Sequence, residues 1–249
     1  MPITLKSTRE IELMRVAGRI AATVLSELQG AARPGVTTAA LDALACRRVR
    51  ELGGRPAFLG YRRYPACICT SVNEVVLHGL PGERVLRTGD LVTLDLGVEY
   101  HGLYVDAAVS MVIGNGAELT HRLVAAAEGA FWAGLQLAVP GRKVGDVGAA
   151  IEAYAETNGF SVIRGYSGHG IGSALHEEPS VPNCGPAGRG PTVRAGMTLC
   201  IEPMLTAGCP ETVVAADGWS VCTRDGSLSS HYEHTVWISS DGPVILTAG

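Results

Sequence analysis

Asp95, Asp106, Glu202 and Glu233 are the residues whose type and placement bear most directly on chemistry. Asp95 and Asp106 flank the polar segment Glu99-Tyr100-His101-Gly102, and Glu202 and Glu233 stand equidistant from Asp217-Gly218. A turn centred between Tyr100 and His101 pairs Val92 with Val109, Leu94 with Ala107 and Leu96 with Val105, all apolar. The same register sets Asp95 directly opposite Asp106 on the other face, with side-chain roots about 5 Å apart. Facing carboxylates repel, so the arrangement costs stability unless a cation lies between them. A register shift, or a pair of solvated turn acids, would also accommodate this hairpin alone. Asp217-Gly218 suits a type I′ turn, and strands nested around it bring Glu202 to Glu233. Four acids from two such hairpins could hold two hard cations about 3.5–4 Å apart, an arrangement that activates water and polarises a carbonyl. One imidazole in the set favours Mn, Fe, Co or Zn over Ca or Mg. His169, in Gly168-His169-Gly170-Ile171-Gly172 where backbone can approach closely, and His176, in His176-Glu177-Glu178-Pro179, are the candidates. A lone histidine is more often structural; the four acids reverse that weighting.

These residues need elements to carry them. Ser7-Thr8-Arg9-Glu10 predicts a capping box, with Ile11, Met14, Ala17, Ile20 and Ala21 on one face of a helix running toward Gln29-Gly30. A second helix begins near Thr37 or Thr38, carries Leu41, Ala45 and Val49, and stops at Gly53-Gly54. Cys67 to Leu77 is β-rich, and Leu91–Val98 with Leu103–Ile113 form the hairpin. Pro34-Gly35 and Gly53 then recur at one constant offset as Pro140-Gly141 and Gly159, and the spacing Arg87, Gly89, Asp95 recurs as Arg194, Gly196, Glu202. Chance matching of plentiful glycines is the plain alternative, but the order of elements agrees as well. The expectation is one α+β domain over residues 1–249 with pseudo-symmetric halves at about 7–114 and 118–249.

Composition limits the rest. A net charge of −4 without a basic block gives no nucleic-acid signal, and no run is apolar enough to span a bilayer. The N-terminus lacks the pattern of an export signal, which predicts a cytoplasmic protein. Cys46, Cys67, Cys69, Cys184, Cys200, Cys209 and Cys222 show no paired zinc-ligand spacing, so reduced thiols are expected. No apolar stripe is left over after the core is assigned, which makes a monomer the expectation.

With these residues in view, the chain resembles the type I methionine aminopeptidases of the pita-bread metallopeptidase fold. The matching strings are Ser71-Val72-Asn73-Glu74-Val75-Val76-Leu77-His78-Gly79, Thr93-Leu94-Asp95 with Asp106, the two histidine segments, Ile201-Glu202-Pro203-Met204, and Tyr232-Glu233-His234-Thr235. The resemblance implies that Asp106 and Glu233 bridge two divalent metals, that His169 and Glu202 complete one site and that Asp95 completes the other. It further implies that Glu202 is the general base for water attack on the first peptide carbonyl, that His176 stabilises the oxyanion and that His78 contacts the substrate. The methionine pocket falls on Tyr61, Tyr64, Cys69 and Trp219; without the resemblance, ordinary packing accounts for these aromatics. Phe58 stands where many bacterial members carry a small residue, Leu175 replaces the phenylalanine usual before His176, and Ser173 replaces an arginine. Asn73, Val75 and Ser229 correspond to a monovalent cation site in relatives. The implied substrate is the N-terminus of nascent proteins, with the ribosome as a partner, and the chain's own Met1-Pro2 has the small second residue that such an activity accepts. An Xaa-Pro peptidase shares the metal cradle but usually carries a preceding domain, for which a first helix starting at Ser7 leaves no room. A non-catalytic peptide-binding module on this fold would typically have lost metal ligands, and all five are present.

Overall fold

The computed structural model describes residues 2–248, so Met1, half of the proposed self-substrate, lies outside them. Helix α1 (Thr8–Ala31) starts at the expected capping box: Glu10 N–H donates to Ser7 Oγ, and Ser7 N–H donates to the Glu10 carboxylate at 2.7 Å. Helix α2 (Thr38–Glu51) is capped by Thr37, whose Oγ1 accepts from Ala40 N–H at 3.2 Å, and ends before Gly53 at φ +86°. Helix α3 (Glu118–Leu135) has Ala117 at its N-cap and no side-chain cap, so the sequence carries no start signal for it. Helix α4 (Val144–Thr157) follows and ends before Gly159 at φ +81°.

A nine-stranded antiparallel sheet holds the molecule together. Its path runs Arg55–Pro56, Leu91–Tyr100, Leu103–Val112, Glu233–Ser239, Thr198–Ile201, Ser167–Gly170, Glu177–Pro182; Cys69–Val72 and Gly242–Ile245 pair off this path. The central seam joins a strand of the first half to one of the second, with Glu233 opposite Ala108 and His234 opposite Ala107. Two helix pairs cover the sheet. Met14, Ala17, Val24 and Leu28 of α1 pack in one core with Leu94, Leu96, Val105 and Ala107. Leu123, Ala127 and Phe131 of α3 and Val147 and Ile151 of α4 form a second with Leu199, Ile201, Val236 and Ile238. Equivalent positions share backbone geometry: Gly35 and Gly141 have φ +92° and +93°, and Gly89 and Gly196 have φ +91° and +92°. Gly35 N–H donates to Leu86 O, Gly141 N–H to Val193 O, and the bridges Thr37–Val85 and Lys143–Thr192 close the two halves alike.

Three expectations are corrected. The first hairpin turns at His101-Gly102, both left-handed (φ +52° and +82°), one residue beyond the predicted centre. Asp95 therefore pairs with Ala108 and Asp106 with Gly97, so the two acids are diagonal rather than opposite. Because the shift in pairing is two residues, both keep the same face, and the apolar pairs become Leu94–Val109, Leu96–Ala107 and Val98–Val105. The second hairpin keeps its predicted register from Ile201–His234 through Met204–His231 to Val214–Val221, all symmetric about Asp217-Gly218. Its turn is not type I′, since of the central pair only Gly218 (φ +77°) is left-handed; Asp217 instead accepts from the Trp219 and Ser220 N–H groups at 2.8 Å. Finally, the thiols are not all reduced: Cys46 and Cys67 are bonded, while Cys69, Cys184, Cys200, Cys209 and Cys222 are free. Asp42 on α2 accepts the N–H groups of Cys67 (2.8 Å) and Ile68 (3.1 Å), holding the two cysteine Cα atoms 5.5 Å apart, within bridging range.

Candidate active site

The seam between the halves forms the floor of a cavity of about 220 Å³. Asp95 and Asp106 enter it from the first hairpin, and Glu202 and Glu233 from the second. His169 arrives on the strand Ser167–Gly170, where close backbone approach requires glycine on both sides. A Cβ at Gly168 would collide with the Cys200 carbonyl oxygen, and one at Gly170 with that of Glu178. The His169 Nδ1 lies 2.8 Å from the Gly170 carbonyl oxygen, which places the proton there and leaves the Nε2 lone pair facing Glu202 Oε1 at 3.5 Å. Asp106 is held by its backbone: its N–H donates to Thr235 Oγ1, and that hydroxyl donates to the Asp106 carbonyl oxygen, both at 2.8 Å.

The electrostatics of this floor call for a cation. The four acids are between 2% and 8% exposed. Burial, then the other carboxylates, pushes Asp106, Glu202 and Glu233 well above the usual carboxylate range; burial pushes Asp95 up to about 7. Asp95 Oδ1 and Glu233 Oε1 are buried without a hydrogen-bond partner. Asp95, Asp106 and Glu233 can each turn a carboxylate oxygen to within 4.8 Å of the others, and Glu202, Glu233 and His231 form a second such group. Hard oxygen donors joined by imidazole, with buried atoms that no protein group satisfies, fit divalent cations.

Above the floor the walls change character. Phe58, Tyr61, Tyr64, Cys69, Leu175 and Trp219, packed in one apolar cluster, line the cavity, with Leu77 from another. Tyr64 packs edge-on against Phe58 and Trp219, and its hydroxyl donates to the carbonyl oxygens of Ile68 and Gly79 (3.1 and 3.2 Å). Cys69 is the cross-strand partner of Asp95, so this apolar side begins beside the acids. His176 stacks on Tyr61, with ring centroids 5.3 Å apart, and lies 4.0 Å from the His169 ring. Burial, then the neighbouring His169, Arg62 and His78, lowers the His176 pKa to about 3; burial and Arg62 also lower that of His78. His78 has a left-handed backbone (φ +57°), an uncommon state for a side-chain-bearing residue. Ser173, flagged as a departure, donates to Glu177 Oε1 at 2.9 Å rather than reaching the cavity.

Every catalytic, metal and pocket candidate named from the sequence lines this cavity. Asn73, Val75 and Ser229 do not: Asn73 Oδ1 accepts from Leu91 N–H, the Asn73 carbonyl from Ser229 N–H, and the Ser229 hydroxyl donates to Leu205 O. Sequence reasoning missed Arg62, Leu77, Tyr166, Ser167 and His231, which also line the cavity. His231 stands two residues before Glu233, a spacing that puts both on one side of extended chain but does not tell a ligand from a core histidine.

Comparison with known proteins identifies the family. The model for metallopeptidase family M24 matches residues 12–240. A methionine aminopeptidase of Clostridium perfringens is 45% identical over 98% of both chains, and methionine aminopeptidase 1 of Bacillus subtilis is 42% identical over 98% of this chain and 99% of its own. The crystal structure of Thermotoga maritima methionine aminopeptidase superposes with a TM-score of 0.98 at 42% identity, covering 100% of each chain. A prolidase from Pyrococcus furiosus shares the fold at TM-score 0.81 and 21% identity, covering 98% of this chain and 65% of that one. With its pita-bread fold and its carboxylate-lined cavity, the chain belongs to metallopeptidase family M24 and, within it, to the methionine aminopeptidases.

Proposed function

We propose that this protein removes the N-terminal methionine from nascent proteins by metal-dependent hydrolysis of the first peptide bond, using the five ligands Asp95, Asp106, His169, Glu202 and Glu233. The observation that carries the reading is the meeting, in one cavity, of four buried acids and four histidines with aromatic and sulfur-bearing side chains. Two divalent ions held by these groups, from among Mn, Fe, Co and Zn, would supply Lewis acidity toward the scissile carbonyl and activate water. Asp106 and Glu233, one from each half of the seam, would help to hold both ions. Glu202, on the floor of the same cavity, is placed to take a proton from water and return it to the leaving amine. His176 is kept neutral, so an N–H of its ring is available to the oxyanion, and His78 faces the same space for the scissile amide. Phe58, Tyr61, Tyr64, Cys69, Leu175 and Trp219 receive the unbranched thioether side chain, whose flexibility suits an irregular apolar pocket.

The matched backbone geometry of the two helix pairs supports one catalytic domain of two pseudo-repeats. No helix among the described residues is long and apolar enough to cross a membrane. A monomeric cytoplasmic enzyme meeting its substrates at the ribosome accords with this reading. The test is hydrolysis of Met-Ala-Ser, Met-Pro-Ser and Ala-Pro-Ser by metal-stripped protein titrated with Mn, Co, Fe and Zn. Methionine release from the first two is expected; cleavage of Ala-Pro-Ser alone would reassign the substrate, and silence with bound metal would leave a peptide-binding module.

A further inference from the structure

We propose that His231 is a further ligand of the metal centre, its Nε2 giving the site a second imidazole across from His169. This rests on the reading of the cavity floor as a divalent-metal centre. It goes beyond the five ligands that the resemblance to the family supplies.

His231 is 2% exposed, and neither ring nitrogen has a hydrogen-bond partner. A buried imidazole with both nitrogens unsatisfied is costly, because its desolvation is not offset by any polar contact. The ring is nevertheless aimed at the acids. Its Nε2 stands 3.7 Å from Glu233 Oε2 and 4.0 Å from Glu202 Oε2. These separations are too long for hydrogen bonds. They suit ligand atoms around a common ion, since donors each about 2.0–2.2 Å from a metal lie roughly 3–4 Å from one another. The corresponding distance on the other side, from His169 Nε2 to Glu202 Oε1, is 3.5 Å. Glu202, His231 and Glu233 can all present donor atoms within 4.8 Å of one another.

The backbone leaves the ring little freedom to retreat. His231 N–H donates to Ser110 Oγ at 3.0 Å, and the same hydroxyl donates to the His231 carbonyl oxygen at 2.8 Å. His231 also pairs with Met204 in the ladder that aligns Glu202 with Glu233. The clamp thus ties His231 to the first-half hairpin through Ser110 and to the second through Met204. Exchanging a carbonyl or water donor for a second imidazole shifts preference toward Zn and Co relative to Mn.

The test uses substrate-free protein, so turnover plays no part. X-ray absorption of wild-type protein loaded with two equivalents of Zn should count two coordinated imidazoles per protein, and one would overturn the proposal without a variant being needed. In parallel, His231→Gln, which keeps polarity but lacks the ring, should lose at least about tenfold in Zn affinity by chelator competition, hold Mn within about threefold, and change the Co(II) d–d spectrum. Unchanged Zn affinity and an unchanged Co(II) spectrum would overturn ligation by His231. Wild-type protein that binds no divalent ion would instead overturn the metal centre itself, and the proposal with it.

Discussion

At the scale of single residues, the four acids define what each substitution should do. Asp106 meets repulsion from Glu233 and Asp95 on top of its burial, as Glu202 and Glu233 do from their own acidic neighbours. Asp106→Asn should abolish turnover and lower the content of both metals, measured by elemental analysis and peptide hydrolysis. His176→Ala should retain both metals and lose about 10²–10³ in kcat, because its ring serves developing charge rather than the ions. Loss of metal in the His176 variant would move that residue into the coordination shell. Asp95, Asp106, Glu202 and Glu233 were legible because each pair flanks a turn and falls on one face of its hairpin. His231 was not, because nothing in its local sequence distinguishes an imidazole aimed at carboxylates from one satisfied in the core.

Elements hold these residues in place, and the segment Gly172–Glu177 shows how. Leu175 and His176 sit just before Glu177, which is anchored from elsewhere in the chain: Lys6 Nζ and Thr4 Oγ1 donate to Oε2, each at 2.7 Å, while Ser173 Oγ and Ala174 N–H donate to Oε1. Burial alone would raise the Glu177 pKa, but hydrogen bonds from Lys6, Thr4 and Ser173 hold it down at about 2. Glu177→Gln leaves the Lys6 ammonium buried without its counter-charge. It should cost about 3 kcal/mol by chemical denaturation and raise KM for Met-Ala-Ser as the pocket wall loosens. An unchanged KM would mean that the segment is held by its backbone alone. The first hairpin was legible from alternation and the second from symmetry about Asp217-Gly218, yet the all-left-handed turn formed at His101-Gly102 and not at Asp217-Gly218. In the second hairpin the Asp217 carboxylate closes the loop through backbone N–H groups, an alternative that turn-residue preferences alone do not distinguish.

Across the whole molecule, both halves contribute acids to one floor, so cation binding is coupled to the stability of the seam. In metal-free protein, Asp95 has its pKa raised to about 7 from an unfolded value near 3.9. Its protonated form contributes stability that is complete below about pH 4 and is lost as pH rises through 7. His169 and His176, lowered to about 4 and 3, act oppositely, contributing stability above about pH 6.5 that is lost as pH falls. Comparison with Asp95→Asn isolates the acid: in metal-free protein the variant's Tm should rise relative to wild type between pH 5 and pH 8. Saturating Mn or Zn should reverse that order at pH 8, since metal at 100 times Kd adds about 2.7 kcal/mol, or about 5–10 °C in a domain of this size. A Tm difference that ignores both pH and metal would contradict a repulsive cluster awaiting cations.

The sequence by itself determined the capped helices, the two hairpins, the acid pairs and the side of each strand on which they stand. These follow from local hydrogen bonding and from periodicities of two and 3.6 residues, which neighbouring residues specify. Only the tertiary structure decided the diagonal placement of Asp95 and Asp106, the Cys46–Cys67 bridge and the position of His231. Each of these depends on which distant segments come to lie within a few ångströms. Asp42 fixes one such meeting, Ser110 another, and the Glu233–Ala108 seam brings together the acids that the two hairpins present.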